Sequence, residues 1–159
     1  MAKTILIPID FSIESLNTLK LALEQNKHEP LNVVLMYAET LSSSITELLF
    51  YSPGKTIQSL TSLQFNDAIT IIKNTYESTL QLIRIELFHG FTKSALANFY
   101  EANKIDLVYL PMHYRLSIKK NAFDPIPLIK KSHIPYHEVS WNSNTRATNE
   151  DELNQLFKQ

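Results

Sequence analysis

Asp10 is the acid best placed in this chain to do chemistry. It ends the apolar run Ile5-Leu6-Ile7-Pro8-Ile9 and precedes Phe11-Ser12, a helix-start signal. A carboxylate where a strand meets a helix can hold a ribose or a base, or it can accept bonds from the first amides of that helix; we read the structural role as the stronger. His89 and His113 each lie just beyond an apolar, strand-like run, a position that invites metal binding or acid–base work. His133 and His137 are four apart, but Pro135 between them excludes a helical metal-binding pair. The absence of cysteine removes thiolate nucleophiles, disulfides and cysteine-bound zinc or iron–sulfur sites, and fits a reducing compartment. Glycine occurs only twice, as Gly54 and Gly90. Neither a phosphate-cradling loop, a dinucleotide fingerprint nor a Gly-x-Ser-x-Gly elbow can be written from two distant glycines. No catalytic residue, metal or enzyme activity is therefore assigned.

Composition narrows the partners. The chain has 159 residues, enough for one domain that needs no covalent staple. Fifteen basic residues stand against sixteen acidic ones, and the only basic clusters are the pairs Lys119-Lys120 and Lys130-Lys131, so nucleic acid is not an expected partner. The first strand begins by residue 4, and no apolar run approaches the roughly eighteen residues of a membrane span. The expectation is a soluble, cytoplasmic protein with no membrane partner.

The elements that position these residues follow from periodicity. Residues 3–9 read as a buried strand, with Ser12 as N-cap of a helix carrying Leu16, Leu19, Ala22 and Leu23 on one stripe, and Phe11 placed to staple onto Leu16. Leu31 to Tyr37 is a second buried strand. Residues 39–60 are expected to hold one short helix, opened by Ser44 and Glu47 at capping-box spacing and stopped at Ser52-Pro53-Gly54. Phe65, Ala68, Ile69, Ile72 and Tyr76 mark a longer helix. Leu82 to Phe88 alternates apolar and polar residues and reads as an edge strand. Thr92 caps a helix that buries Ala95, Leu96, Phe99 and Tyr100, and Asp106 to Leu110 is an interior strand. Asp124 suits an N-cap with Pro125 as the first helical residue, and Pro135 to Trp141 is the other edge. The pattern predicts an α/β, doubly wound, five-stranded parallel sheet with helices on both faces, formed by residues 1–141. Residues 142–159 are a polar tail in which Leu153, Leu156 and Phe157 can line a short helix.

Specific residues carry a resemblance. Ile5-Leu6-Ile7-Pro8-Ile9-Asp10-Phe11-Ser12 ahead of a helix, Val33 to Tyr37, Gly90 before a helix, and Asp106-Leu107-Val108 leading to Met112-His113 together resemble the universal stress protein family over residues 3–140. The resemblance implies a Rossmann-like sheet of order 3-2-1-4-5, a homodimer joined along the fifth strand (Tyr136 to Trp141), and, in the nucleotide-binding subgroup, an ATP site at the carboxyl ends of strands one and four. Carried over by position, that crevice comprises Pro8, Ile9, Asp10, Ala38, Leu110, Pro111, His113 and Tyr114. In the implied order strands three and four are not neighbours, so His89 and His113 are each read as satisfied surface histidines. A receiver domain shares the topology, but it needs clustered acids at strand one, an aspartate after strand three and a lysine in strand five, and this chain has Asp10, His89 and no such lysine.

The ATP-binding members carry two glycines separated by two residues and, nine residues later, glycine with serine or threonine. Here Pro111 and Tyr114 stand at the first two positions and the third falls near Asn121 or Ala122, with Phe123-Asp124-Pro125-Ile126-Pro127 following. Pro125 and Pro127 have no amide hydrogen, and losing two charge-assisted bonds costs about 3 to 6 kcal/mol, or roughly two to four powers of ten in affinity. The reading is a degenerate, non-ATP-binding member without cofactor, acting as a stress-response binding or scaffold dimer with an unidentified protein partner. The alternative is a member that binds ATP or AMP.

Overall fold

Three consecutive residues, Ile5, Leu6 and Ile7, have no exposed surface. Only a strand covered on both faces buries side chains that alternate in direction. In the computed structural model, which describes residues 2–41 and 44–142, they lie in β1 (Lys3–Pro8). The remaining strands are β2 (Leu31–Ala38), β3 (Leu80–Phe88), β4 (Leu107–Pro111) and β5 (Tyr136–Val139). All pairings are parallel, as the sequence pattern predicts, and the order is β3-β2-β1-β4-β5, as the family resemblance implies. The helices are α1 (Asn17–Gln25), α2 (Ile45–Leu49), α3 (Pro53–Leu60), α4 (Leu63–Thr75), α5 (Lys93–Asn103) and α6 (Ile126–Lys130).

The pleat of β1 divides the core. Ile5 and Ile7 pack in one layer with Leu19 and Leu23 of α1 and Phe65 and Ile72 of α4. Leu6 enters the other layer with Val108 and Leu110 of β4, Leu96 of α5 and Ile129 of α6. Helices on both faces make the sheet doubly wound. Gly90, between β3 and α5, has a steric reason: a Cβ there would stand 2.3 Å from the Ala95 Cβ and 3.2 Å from the Phe88 ring. Thr92 caps α5 through the Ala95 amide, 3.1 Å away.

Several local expectations change. The N-cap position of a 3-10 turn (Glu14–Leu16) falls to Ile13, and Ser12 serves from one residue earlier, its hydroxyl accepting from the Ser15 amide at 3.2 Å, so that regular helix begins only at Asn17. Residues 39–60 carry two helices. Ser52-Pro53-Gly54 starts α3 instead of stopping a helix, because proline fits the first helical position and the Ser52 hydroxyl accepts the Lys55 amide. At α6 the N-cap position falls to Pro125, and Asp124 serves from one residue earlier by accepting the Ile126 amide at 3.0 Å. The tail helix expected at 149–157 lies outside the described residues. Among those residues no helix is long and apolar enough to cross a membrane.

Candidate functional site

Asp10 sits where β1 ends, and only 2% of its surface is exposed. The chain turns sharply after it because Phe11 adopts φ 63°, a left-handed conformation that is strained for a residue with a Cβ. Packing holds the strain: the Phe11 ring centre lies 4.9 Å from that of Tyr37 and 5.4 Å from that of Phe65. The turn brings the Ser12 amide to 2.9 Å from Asp10 Oδ1.

Asp10 Oδ2 is occupied by groups from the segment after β4. The Tyr114 hydroxyl donates to it at 2.5 Å and the Ser117 amide at 2.8 Å. The Ser12 hydroxyl is 2.9 Å from the Tyr114 oxygen. A phenol has one hydrogen, so Tyr114 donates to the carboxylate and accepts from Ser12. Burial, then the charge of Asp10 and the bond to it, push the Tyr114 phenol well above its ordinary range, so it remains a donor at neutral pH. The same segment continues past β1 to the exit of β2. The Phe123 amide donates to the Ala38 carbonyl at 3.1 Å, the Thr40 amide to the Asn121 carbonyl at 2.6 Å, and Glu39 forms an antiparallel bridge with Ala122.

Of the crevice residues expected from sequence, Asp10 and Tyr114 are therefore in direct contact, and Ala38 is bonded to a chain segment that spans the same opening. Pro8, Ile9, Leu110 and Pro111 are buried, with the Ile9 amide donating to the Met36 carbonyl. His113 is exposed and makes no hydrogen bond or ring contact with other described residues.

A second cluster lies at the exits of β2 and β3. His89 is half-buried, not the surface residue expected from sequence. Its Nε2 is 2.9 Å from Glu39 Oε1 and 2.7 Å from the Tyr51 hydroxyl, which itself donates to Glu39 Oε1 at 2.9 Å. A ring nitrogen at that distance from a carboxylate oxygen carries a hydrogen, which fixes Nε2 as a donor. Burial first, then the hydrogen bond and charge of Glu39, push the Tyr51 phenol up. Glu39 and Tyr51 were missed from sequence. A usable signal was present for Glu39: it follows Ala38, which pairs with Phe88, so strand order alone puts it beside His89. Among the described residues no group of three or more histidine, aspartate or glutamate side chains could hold a metal.

A five-stranded parallel sheet of order 3-2-1-4-5 with helices on both faces is the fold of universal stress proteins. Solved structures bear this out. The universal stress protein UspA of Lactobacillus plantarum aligns at a TM-score of 0.52 with 13% identity, over 86% of this chain and 97% of that one. A universal stress family protein of Burkholderia pseudomallei aligns at 0.50 with 12% identity, over 86% and 95%. A universal stress family protein of Arabidopsis thaliana, solved with AMP bound, aligns at 0.50 with 9% identity, over 89% and 93%. No protein-family model matches the chain, and no curated protein matches it by sequence.

Proposed function

We propose that this chain is a degenerate universal stress-type protein, a non-enzymatic binding or scaffold dimer whose nucleotide crevice is filled by its own polypeptide. One observation carries the reading: among the described residues the Asp10 carboxylate, buried at the exit of β1, takes three bonds, from Ser12, Tyr114 and Ser117 of the same chain. The Ala38 carbonyl is likewise taken, by Phe123. The start of α6, which would face phosphates, has few donors to offer, since Pro125 and Pro127 lack amide hydrogens and the Ile126 amide bonds Asp124. A nucleotide must break these contacts before making its own, and the binding energy falls by their worth.

Titration calorimetry with Mg-ATP and with AMP tests the reading. No saturable binding in the micromolar range is expected, and a low-micromolar dissociation constant for either nucleotide would refute it. The second reading, a nucleotide-responsive protein, draws on the Arabidopsis neighbour with AMP bound. Dimerisation is proposed along β5, an edge strand whose open backbone groups favour pairing and whose Tyr136 is exposed. Light scattering at micromolar concentration should give about twice the 18.3 kDa chain mass. A single species at chain mass would exclude the dimer.

A further inference from the structure

A cavity of about 240 Å³ opens beside the second cluster, between the exit of β2, helix α2 and the start of α3. Asp10, Ser12, Tyr114 and Ser117 do not line it, and its charged lining residues, Glu39 and Glu47, are both acids. Glu39 lines it and is 8% exposed. The carboxylate's Oε1 receives both Tyr51 and His89, while Oε2 receives no bond from any described residue. Glu47 adds a second carboxylate to the lining. Among the described residues no lysine or arginine pairs with either acid. The neighbouring hydroxyl hydrogens are committed, Tyr51 to Glu39, Thr40 to the Asn121 carbonyl at 3.2 Å and Thr56 to the Ser52 carbonyl at 3.1 Å, while the Asn121 side-chain amide brings both donor and acceptor capacity. What faces the cavity is therefore mostly acceptor capacity with negative charge. Leu41 and Leu48 flank it, each 43% exposed.

A carboxylate this buried is stabilised by a charged donor, and its low-dielectric setting makes such a bond stronger than one at the open surface. Tyr51 and His89 supply two donors to one oxygen and leave the other for a third. We propose that this cavity binds a small organic cation, a primary alkylammonium group whose hydrogens go to Glu39 Oε2 and whose carbon chain lies along Leu41 and Leu48. An anion is repelled by the two acids, and a neutral alcohol forfeits the charge-assisted bond.

The probes are n-butylammonium chloride, with n-butanol and sodium butyrate as controls of matching size. Binding is read from amide chemical shifts in NMR titrations of the full chain, with total ionic strength held constant by sodium chloride. Butylammonium is expected to saturate shifts at Thr40, Glu47 and Tyr51 near millimolar concentration, the scale set by so few ligand atoms. Butanol should bind at least tenfold more weakly and butyrate not at all. Glu39→Gln preserves the side-chain shape and should weaken butylammonium at least tenfold. Should that variant not fold, Leu48→Trp, which fills the mouth from an exposed position, should abolish the shifts while the melt is retained. Equal binding of butanol, no saturable shift with butylammonium, or undiminished affinity in Glu39→Gln or Leu48→Trp would each overturn the proposal.

Discussion

Replacing Tyr114 by phenylalanine removes one oxygen from the Asp10 site and changes little else, since the ring keeps its place 5.7 Å from that of Trp141. Two interactions disappear. The bond to the carboxylate is worth about 1.5 to 3 kcal/mol, because one partner is charged, and the bond shared with Ser12 about 0.5 to 1.5 kcal/mol. Ser12 can turn its hydroxyl elsewhere, whereas Asp10 keeps only the Ser12 and Ser117 amides in a site closed to bulk water. The net loss is therefore set near the carboxylate term, at about 2 to 3 kcal/mol. For a chain of this size that lowers the melting temperature by about 4 to 12 °C. Urea unfolding followed by circular dichroism gives the free energy directly. Asp10→Asn combined with Tyr114→Phe completes a cycle whose coupling should exceed about 1 kcal/mol. A Tyr114→Phe loss below about 0.5 kcal/mol, or additive variants, would mean that the phenol does not hold the carboxylate.

Leu6→Asp places an unpaired charge at a position with no exposed surface and should abolish the cooperative thermal transition; a melt near that of the wild type would remove Leu6 from the core. Gly90→Ala must displace Ala95 or the Phe88 ring and should cost about 1 to 3 kcal/mol in urea unfolding, with an unchanged midpoint refuting the close approach. Burial, reinforced by Glu39, Glu24 and Asp10 respectively, raises the phenols of Tyr51, Tyr76 and Tyr114. Below about pH 10 both folded and unfolded chains keep these protons, and above it the unfolded chain loses them first. Stability should thus fall as pH rises beyond 10, less steeply in Tyr114→Phe, and an unchanged urea midpoint between pH 8 and pH 11 would contradict the shifts.

β1, β2 and β4 were legible because each is an apolar run bounded by polar punctuation, and Leu82 to Phe88 betrayed its edge position by alternating. Ser52-Pro53-Gly54 misled because the same residues stop one helix and start another, and the choice depends on Ile57 and Leu60 packing against the distant core. Asp10 could be singled out from its place at a strand end. What fills its site could not, since Tyr114 comes from 104 positions away and only the folded topology brings the two together. Glu39 was within reach through strand order, but Tyr51 lies in a stretch without periodicity.

The contacts between Asn121 and Thr40 have a consequence in time. These residues are 81 positions apart, so closing that loop costs entropy before it returns any energy, and their strands are already joined through β1. The contact should form after the sheet, and its loss should appear in the unfolding rate alone. Asn121 holds φ 68°, which alanine adopts at a cost of about 1 kcal/mol, so Asn121→Ala should speed unfolding in a stopped-flow chevron and leave refolding unchanged. Slower refolding would place the segment in the nucleus instead. On that order the segment laid over the exit of β2 is the last part of the molecule to close and the first to open.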